Sequence, residues 1–238
     1  MIMQSAMLEI VIPCYNESLS IKDLVERCNF VSSKSPISFI LVDNGSLDNT
    51  WEQLELLTLN SKNIVSLKVN HNIGYGNGIL TGLTRTKAPY VGWMHADLQT
   101  APDDLIQIAD WLLTAKDVKY IFVKGKRKNR ALIDMFFSFG MSVFESILFR
   151  KRMTEINAQP TIFTRSLIAD LNNAPLDFML DLFAYNKAIS KGYRQKRFFV
   201  YFGRRKYGVS SWNKNVFSRI KFVYKTVKYS LILRIKKR

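Results

Sequence analysis

Four short apolar runs, each closed by polar turn-forming residues and each followed by a stretch of helical periodicity, constrain this chain more than any other feature. Leu8-Glu9-Ile10-Val11-Ile12 is closed by Pro13, Phe39-Ile40-Leu41-Val42 by Asp43-Asn44-Gly45-Ser46, and Tyr90 to Met94 by His95-Ala96-Asp97; Ile64 to Val69 is the fourth run. Runs this short with flanking breakers read as buried strands. Between them, Ile21, Leu24, Val25 and Cys28 fall at helical spacing behind Ser18 and Ser20 as N-cap candidates, Asp48 to Leu59 carries a helix bias, and Gly78 to Thr84 reads as a short helix. Pro102-Asp103-Asp104 opens a further helix through Leu113, with proline and acids where a first turn favours them. The β-α-β-α-β-α-β order predicts an α/β fold of Rossmann type: a mostly parallel sheet with helices on both faces. Ligands then bind beyond the carboxyl ends of the strands, where three of the polar closures converge.

A chain of 238 residues that is 47% hydrophobic and 23% charged needs neither disulfide nor structural metal to hold a core. Its two cysteines, Cys14 and Cys28, and the absence of a basic n-region before an apolar core within Met1 to Met7 predict a cytoplasmic protein with free thiols. The net charge of +16 is unevenly placed. Residues 1–118 hold 8 Lys/Arg and 13 Asp/Glu, whereas residues 182–238 hold 17 and 0. Such a tail calls for an anionic partner, a membrane surface or a nucleic-acid backbone. Residues 213–238 read as a helix with Val216, Ile220, Val223, Tyr224, Val227 and Leu231 on one stripe and Lys214, Lys221, Lys225 and Lys228 beside it, the design of an interfacial helix. Ala131 to Phe149, interrupted by Asp134, Gly140 and Glu145, reads as a buried or interfacial helix and not as a membrane span. An anionic membrane surface is the expected partner and nucleic acid is not, because a nucleic-acid role leaves the strand-end motifs unexplained.

Three of these motifs can carry chemistry. Asp43 with Asn44 and Ser46 can accept hydrogen bonds from a base or ribose, Gly45 letting backbone approach closely; alone, the same residues make an Asx turn. The run Asn72-Ile73-Gly74-Tyr75-Gly76-Asn77-Gly78 enters a helix as phosphate-presenting turns do, without the spacing of a P-loop or a dinucleotide fingerprint. His95, Asp97 and Gln99 alternate, so on an extended strand end they project to one side. Asp97 with Gln99, and His95 behind them, suit Mg²⁺ or Mn²⁺ bridging a diphosphate. Read singly, His95 is a packed ring and Asp97 the metal carboxylate.

Together Val11-Ile12-Pro13-Cys14-Tyr15-Asn16-Glu17, Val42 to Ser46, the Asn72 to Gly78 turn and Ala96-Asp97-Leu98-Gln99 resemble, in order and spacing, the GT-A-fold family 2 glycosyltransferases, most closely the polyprenyl-phosphate branch of dolichyl-phosphate mannose synthase type. The resemblance is strong over residues 8–113 and looser to Trp212, so residues 1–212 are expected to form the catalytic domain and 213–238 the basic helix. It implies that Pro13, Tyr15, Glu17, Asp43, Asn44, Ser46, Gly74, Gly76, Asn77 and Ala96 line the nucleotide-sugar pocket. Asp97 with Gln99 and His95 would hold the divalent metal. Arg205-Lys206-Tyr207-Gly208-Val209-Ser210-Ser211-Trp212 is similar to an element closing over diphosphate and acceptor, with Arg205 as phosphate clamp and Ser210 on the acceptor side.

On the same resemblance Arg127 and Arg130 meet a lipid phosphate or belong to a charged surface loop, and Asn157 and Gln159 face the acceptor. Asp181 would be general base for a hydroxyl acceptor, a role an ionised phosphate acceptor does not need. Two departures stand out: His95 replaces the first acid of the common Asp-x-Asp metal motif, and no transmembrane helix follows the catalytic segment. The expected activity is inverting transfer of a sugar from a nucleoside diphosphate sugar to a polyprenyl phosphate, by a protein held peripherally at the inner face of the cell membrane. The alternative acceptor is a hydroxyl of a lipid-linked or surface polysaccharide.

Overall fold

The computed structural model describes residues 6–115, 119–129, 132–203, 205–207 and 216–235; the candidates Arg130 and Ser210, with Gly208 and Trp212, lie outside them. In chain order the elements are β1 (Leu8–Cys14), α1 (Ile21–Lys34), β2 (Ile37–Asn44), α2 (Thr50–Thr58), β3 (Ile64–Val69), α3 (Tyr75–Leu83), β4 (Tyr90–Trp93), α4 (Asp104–Thr114), β5 (Ile121–Lys128), α5 (Leu132–Phe149), β6 (Thr161–Thr164), α6 (Leu180–Ser190), β7 (Arg194–Tyr201) and α7 (Val216–Ile235), with a 3₁₀ turn at Arg165–Asp170.

One sheet of seven strands in the order β3-β2-β1-β4-β6-β5-β7 carries the fold. β6 runs antiparallel to both β4 and β5, and the other pairs are parallel. The β1 side chains show why both faces must be covered. Leu8, Ile10, Ile12 and Cys14 enter one apolar cluster with α1 and α4 residues such as Leu24 and Ile108, while Val11 enters the opposite cluster with Ile79 of α3 and Leu180 of α6. A period of two sends neighbours to opposite faces, so a run apolar at nearly every position is satisfied only between two layers of helix. From β1 the order passes outward to β2 and β3 on one side and to β4 on the other. The crevice between the carboxyl ends of β1 and β4 is therefore the switch point where α/β sheets bind ligands.

Local detail departs from the sequence reading at two places. Ser20 precedes α1 without capping it; its hydroxyl donates instead to the Glu17 carbonyl and carboxylate, both at 3.0 Å. Helix α3 begins at Tyr75, three residues before the expected Gly78, so most of the glycine run is helix and not turn.

Helix α7 also turns its faces differently. Thr226 and Ser230 are buried, and Tyr229 and Leu233 pack on the core, whereas Ile220, Tyr224 and Leu231 of the predicted apolar stripe are exposed, as is Ile235. Those three positions thus point away from the body, while Val223 and Val227 of the same stripe are half-buried. Helix α5 shows the same habit, with Met135, Phe139, Val143 and Ile147 exposed at four-residue intervals. The two helices meet at Glu145, which is fully buried and accepts a 2.5 Å hydrogen bond from Ser230. Among the described residues no helix is long and apolar enough to cross a membrane.

Candidate active site

The loops after β1 and β2 are knitted together before any ligand arrives. The Asn16 N–H donates to Ser46 Oγ (3.0 Å), Leu47 N–H to Asn16 Oδ1 (2.8 Å), Glu17 N–H to Thr50 Oγ1 (2.9 Å) and Ser18 N–H to Asp48 Oδ2 (3.2 Å). Ser46 is thereby engaged by protein. Tyr15 is exposed at the rim and Pro13 is half-buried behind it. Asp43 is buried; its Oδ1 accepts from Ser46 N–H at 3.1 Å and its Oδ2 has no partner among the described residues. A buried oxygen left without a donor costs stability unless something supplies one, so Asp43 Oδ2 has room to accept a further hydrogen bond. Asn44 is equally buried, with its amide donating to the Gly74 carbonyl at 2.9 Å.

The glycine-rich run serves packing. A Cβ on Gly45 would lie 2.5 Å from the Asn72 nitrogen, so the close approach it permits is to the chain's own backbone. Gly74, at φ +136°, and Gly76 would place a Cβ 2.2 Å from the Leu176 carbonyl oxygen and 2.5 Å from that of Pro175. The Asn77 N–H donates to the Gly74 and Leu176 carbonyls at 3.2 and 3.1 Å. The Gly74 N–H donates to Asn72 Oδ1 at 2.9 Å and the space above both glycines is filled by residues 175–177, so Gly74 and Gly76 serve close packing and not the expected phosphate-presenting turn. Asn77 instead lines an open cleft of about 450 Å³ beside β3, with Lys68, His71 and Ile73.

Beyond β4 the chain does not stay extended: Leu98 has φ +56°, which breaks the alternation that would align His95, Asp97 and Gln99 on one side. The three separate. The His95 ring stacks on Tyr75 (centroids 5.2 Å apart), and Tyr75 stacks on Phe178 (4.4 Å, planes 9° apart). The Gln99 amide donates to the Gly203 carbonyl at 3.1 Å, fixing the end of β7 to this loop. Asp97 Oδ1 accepts from the Gln99 N–H at 3.1 Å, and Asp97 Oδ2 faces Arg205. Ala96 is buried in the core beneath.

Arg205 joins the ends of β1 and β4. Its guanidinium lies 3.4 Å from Glu17 and 3.3 Å from Asp97, with its Nε buried and unpartnered among the described residues. Lys206 and Tyr207 hold the same segment to Asp23 of α1 at 2.5 and 3.3 Å. Burial raises the Glu17 carboxyl above its ordinary range, and Arg205 opposes that rise. Both contacts are longer than a good charged hydrogen bond. Among the described residues no three His, Cys, Asp or Glu side chains gather into a ready-made metal cluster. Asp97 and Glu17 are hard oxygen donors at an open edge, which fits an ion held by one or two carboxylates together with substrate phosphates. His95, within its aromatic stack, does not join them.

The acceptor-side candidates are dispersed. Arg127 pairs with Glu155 at 2.9 Å and lies over Phe202, and Asn157 is exposed. Gln159 is buried, its amide donating to Asp181 (3.1 Å) and Tyr75 (3.4 Å), which corrects the expectation that it faces an acceptor. Asp181, at the start of α6, is also buried. Its Oδ1 accepts from Gln159, Thr161 and Lys124 at 3.1–3.2 Å and from the Trp93 indole at 3.3 Å. With four donors already on Oδ1, this carboxylate is bound up by the protein's own side chains. The sequence reading missed Lys124 and the Tyr75–Phe178 stack, because a lysine in Lys124-Gly125-Lys126-Arg127-Lys128 looks solvated until its partner is known.

The strand order and the switch-point crevice are those of a GT-A glycosyltransferase fold. The profile of the family described as "Glycosyl transferase family 2" matches residues 9–170, and the chain belongs to that family. It is similar to two undecaprenyl-phosphate 4-deoxy-4-formamido-L-arabinose transferases. The Proteus mirabilis protein is 30% identical over 124 residues, 51% of this chain and 37% of that one; the Pectobacterium atrosepticum protein is 33% identical over 112 residues, 46% and 34%. The matched segment thus spans little more than a third of those relatives. Among solved structures, glucosyl-3-phosphoglycerate synthase of Mycobacterium tuberculosis, crystallised with Mn²⁺, UDP and phosphoglyceric acid, superposes with TM-score 0.70 at 15% identity over 95% of this chain and 78% of that one. A mannosyltransferase of Pyrobaculum calidifontis, crystallised with GDP-Man and Mn²⁺, gives 0.66 at 17% identity over 94% and 64%.

Proposed function

We propose that this protein is an inverting glycosyltransferase that moves a sugar from a nucleoside diphosphate sugar to a polyprenyl phosphate at the inner face of the cell membrane. The observation that carries the reading is Arg205 bridging Glu17 and Asp97 at the switch point; Asp43, at the end of the neighbouring strand β2, keeps an unsatisfied Oδ2. Asp43 receives an N–H or O–H of the nucleoside. Asp97, with Glu17 near it, holds Mg²⁺ or Mn²⁺. That ion, when bound, neutralises the donor diphosphate and makes it a better leaving group. Arg205 leaves the two carboxylates for the diphosphate oxygens, where its stabilisation grows as the glycosidic bond breaks.

The acceptor phosphate oxygen attacks the anomeric carbon from the opposite face. A carbon–oxygen bond forms to the lipid phosphate as the bond to the donor β-phosphate breaks, and the nucleoside diphosphate leaves with the electron pair. No proton needs removal from an ionised phosphate, which agrees with the bound-up state of Asp181. Residues 1–212 serve as the catalytic unit. The outward apolar rows of α5 and α7, flanked by Lys221 and Lys228, favour a headgroup-level position, where each lysine near anionic lipid contributes about 1 kcal/mol.

The test is transfer by the purified protein, with Mg²⁺ or Mn²⁺, to polyprenyl phosphate in liposomes from UDP-, GDP- and dTDP-sugars, the lipid being read by mass spectrometry. One donor should add one sugar mass, and Asp97→Ala should lower the rate about a hundred- to a thousandfold, as loss of a main electrostatic contribution does. Sugar appearing on glycan hydroxyls while the lipid stays unmodified would overturn the acceptor assignment.

A further inference from the structure

The segment from Pro175 to Phe178 touches both halves of the machine. On one side its backbone fills the space above Gly74 and Gly76, and the Phe178 ring lies flat on Tyr75, which stacks in turn on His95, two residues from Asp97. On the other side Asp177 pairs with Lys225 of α7 at 2.6 Å. Between these anchors the segment exposes apolar surface: Leu176 is 43% and Phe178 37% exposed. Its position is fixed, since Asp177 Oδ1 also accepts the Met179 N–H at 2.9 Å at the start of α6. An aromatic ring held flat and half-bare next to a phosphate-handling site has a use when a ligand carries an apolar part directly beyond its phosphate.

We propose that Phe178 and Leu176 form a ledge for the first isoprene units of the lipid acceptor, the Tyr75–His95 stack behind them bringing its phosphate toward Asp97 and Arg205. The inference deepens the lipid-phosphate reading above and rests on it. The occupant is argued from charge and placement. The ledge lies between an anion site and a helix whose outer face is apolar and flanked by lysine, so a chain leaving the site across it runs toward that face. A donor sugar, by contrast, would present hydroxyls to Leu176.

The experiment compares binding of farnesyl phosphate and methyl phosphate by titration calorimetry without donor, then steady-state transfer to farnesyl phosphate. The wild-type protein should bind farnesyl phosphate more tightly than methyl phosphate. Phe178→Ala should weaken farnesyl phosphate about tenfold or more, the usual scale for losing an apolar contact of that size, and leave methyl phosphate and the donor KM unchanged. Phe178→Leu should keep most of the affinity. Leu176→Gln, whose backbone contacts are untouched, provides a second variant if Phe178→Ala melts early. Equal affinity of the wild type for the two phosphates overturns the ledge. So does a rise in donor KM in both Phe178 variants with farnesyl binding intact, which would make the ring a wall for the sugar. Selective farnesyl binding without sugar transfer from any donor would instead overturn the proposed reaction and leave the ledge standing.

Discussion

Replacing Lys124 by methionine isolates the buried network behind the site. Lys124 and Asp181 are both almost wholly buried, 3.2 Å apart, and burial depresses the lysine to about 8 against the opposing pull of Asp181. Removing one partner of such a pair strands the other charge, at a cost of about 3–5 kcal/mol. Here the lower end applies, because Asp181 retains Trp93, Gln159 and Thr161 as donors. About 3 kcal/mol at this chain length lowers Tm by about 6–12 °C, and against a total of about 5–15 kcal/mol the variant stays folded. The double variant Lys124→Met/Asp181→Asn removes both charges of the pair and keeps an acceptor for the three neutral donors, so it should recover to within about 1 kcal/mol of wild type. Urea unfolding followed by tryptophan fluorescence measures both, since Trp93 is itself a donor to Asp181. A single variant costing less than about 1 kcal/mol, or a double variant equal to the sum of the two singles, would refute the coupling. The same pair of measurements bears on the hydroxyl-acceptor alternative. A structural Asp181 shows itself in stability, a general base in turnover of a well-folded Asp181→Asn.

Two further outcomes follow from buried contacts. Glu145 is raised to about 7, chiefly by burial, with the Ser230 hydroxyl opposing; the folded state therefore binds a proton that the unfolded chain gives up near its ordinary value of 4.5. Its contribution is full below pH 4.5 and lost as pH rises through 7, so wild type should match Glu145→Gln near pH 4.5 and fall below it by up to about 3 kcal/mol above pH 7, read from urea midpoints across that range. Gly76→Ala should cost about 1–3 kcal/mol, because its methyl would meet only backbone atoms of residues 175–177; a urea midpoint equal to wild type would contradict that packing.

The apolar runs of β1, β2 and β4 and the intervening helical periods were legible along the chain, because side-chain direction repeats every 2 residues in a strand and every 3.6 in a helix and needs no knowledge of distant sequence. The same locality placed Glu17, Asp43 and Asp97 at strand ends, since a strand must stop where polar turn residues begin. Resemblance to a family added Arg205, whose basic surroundings alone would have left it a solvated tail residue. Where the reading failed, the deciding partner lay far away: Gly74 and Gly76 answer to residues 175–177, and Gln159 to Asp181 and Tyr75.

Sequence by itself therefore determined the layered sheet, its switch point and the acids that line it, all products of local periodicity and chain breaking. Tertiary structure alone decided that Arg205 joins Asp97 across 108 residues, that Lys124 is a buried counter-ion for Asp181 across 57, and that α7 turns Ser230 inward to meet Glu145 across 85. Whether a charged or hydroxyl side chain is solvated or paired depends on what desolvates it. That is set by which elements the topology brings together, and no pattern along the chain encodes it.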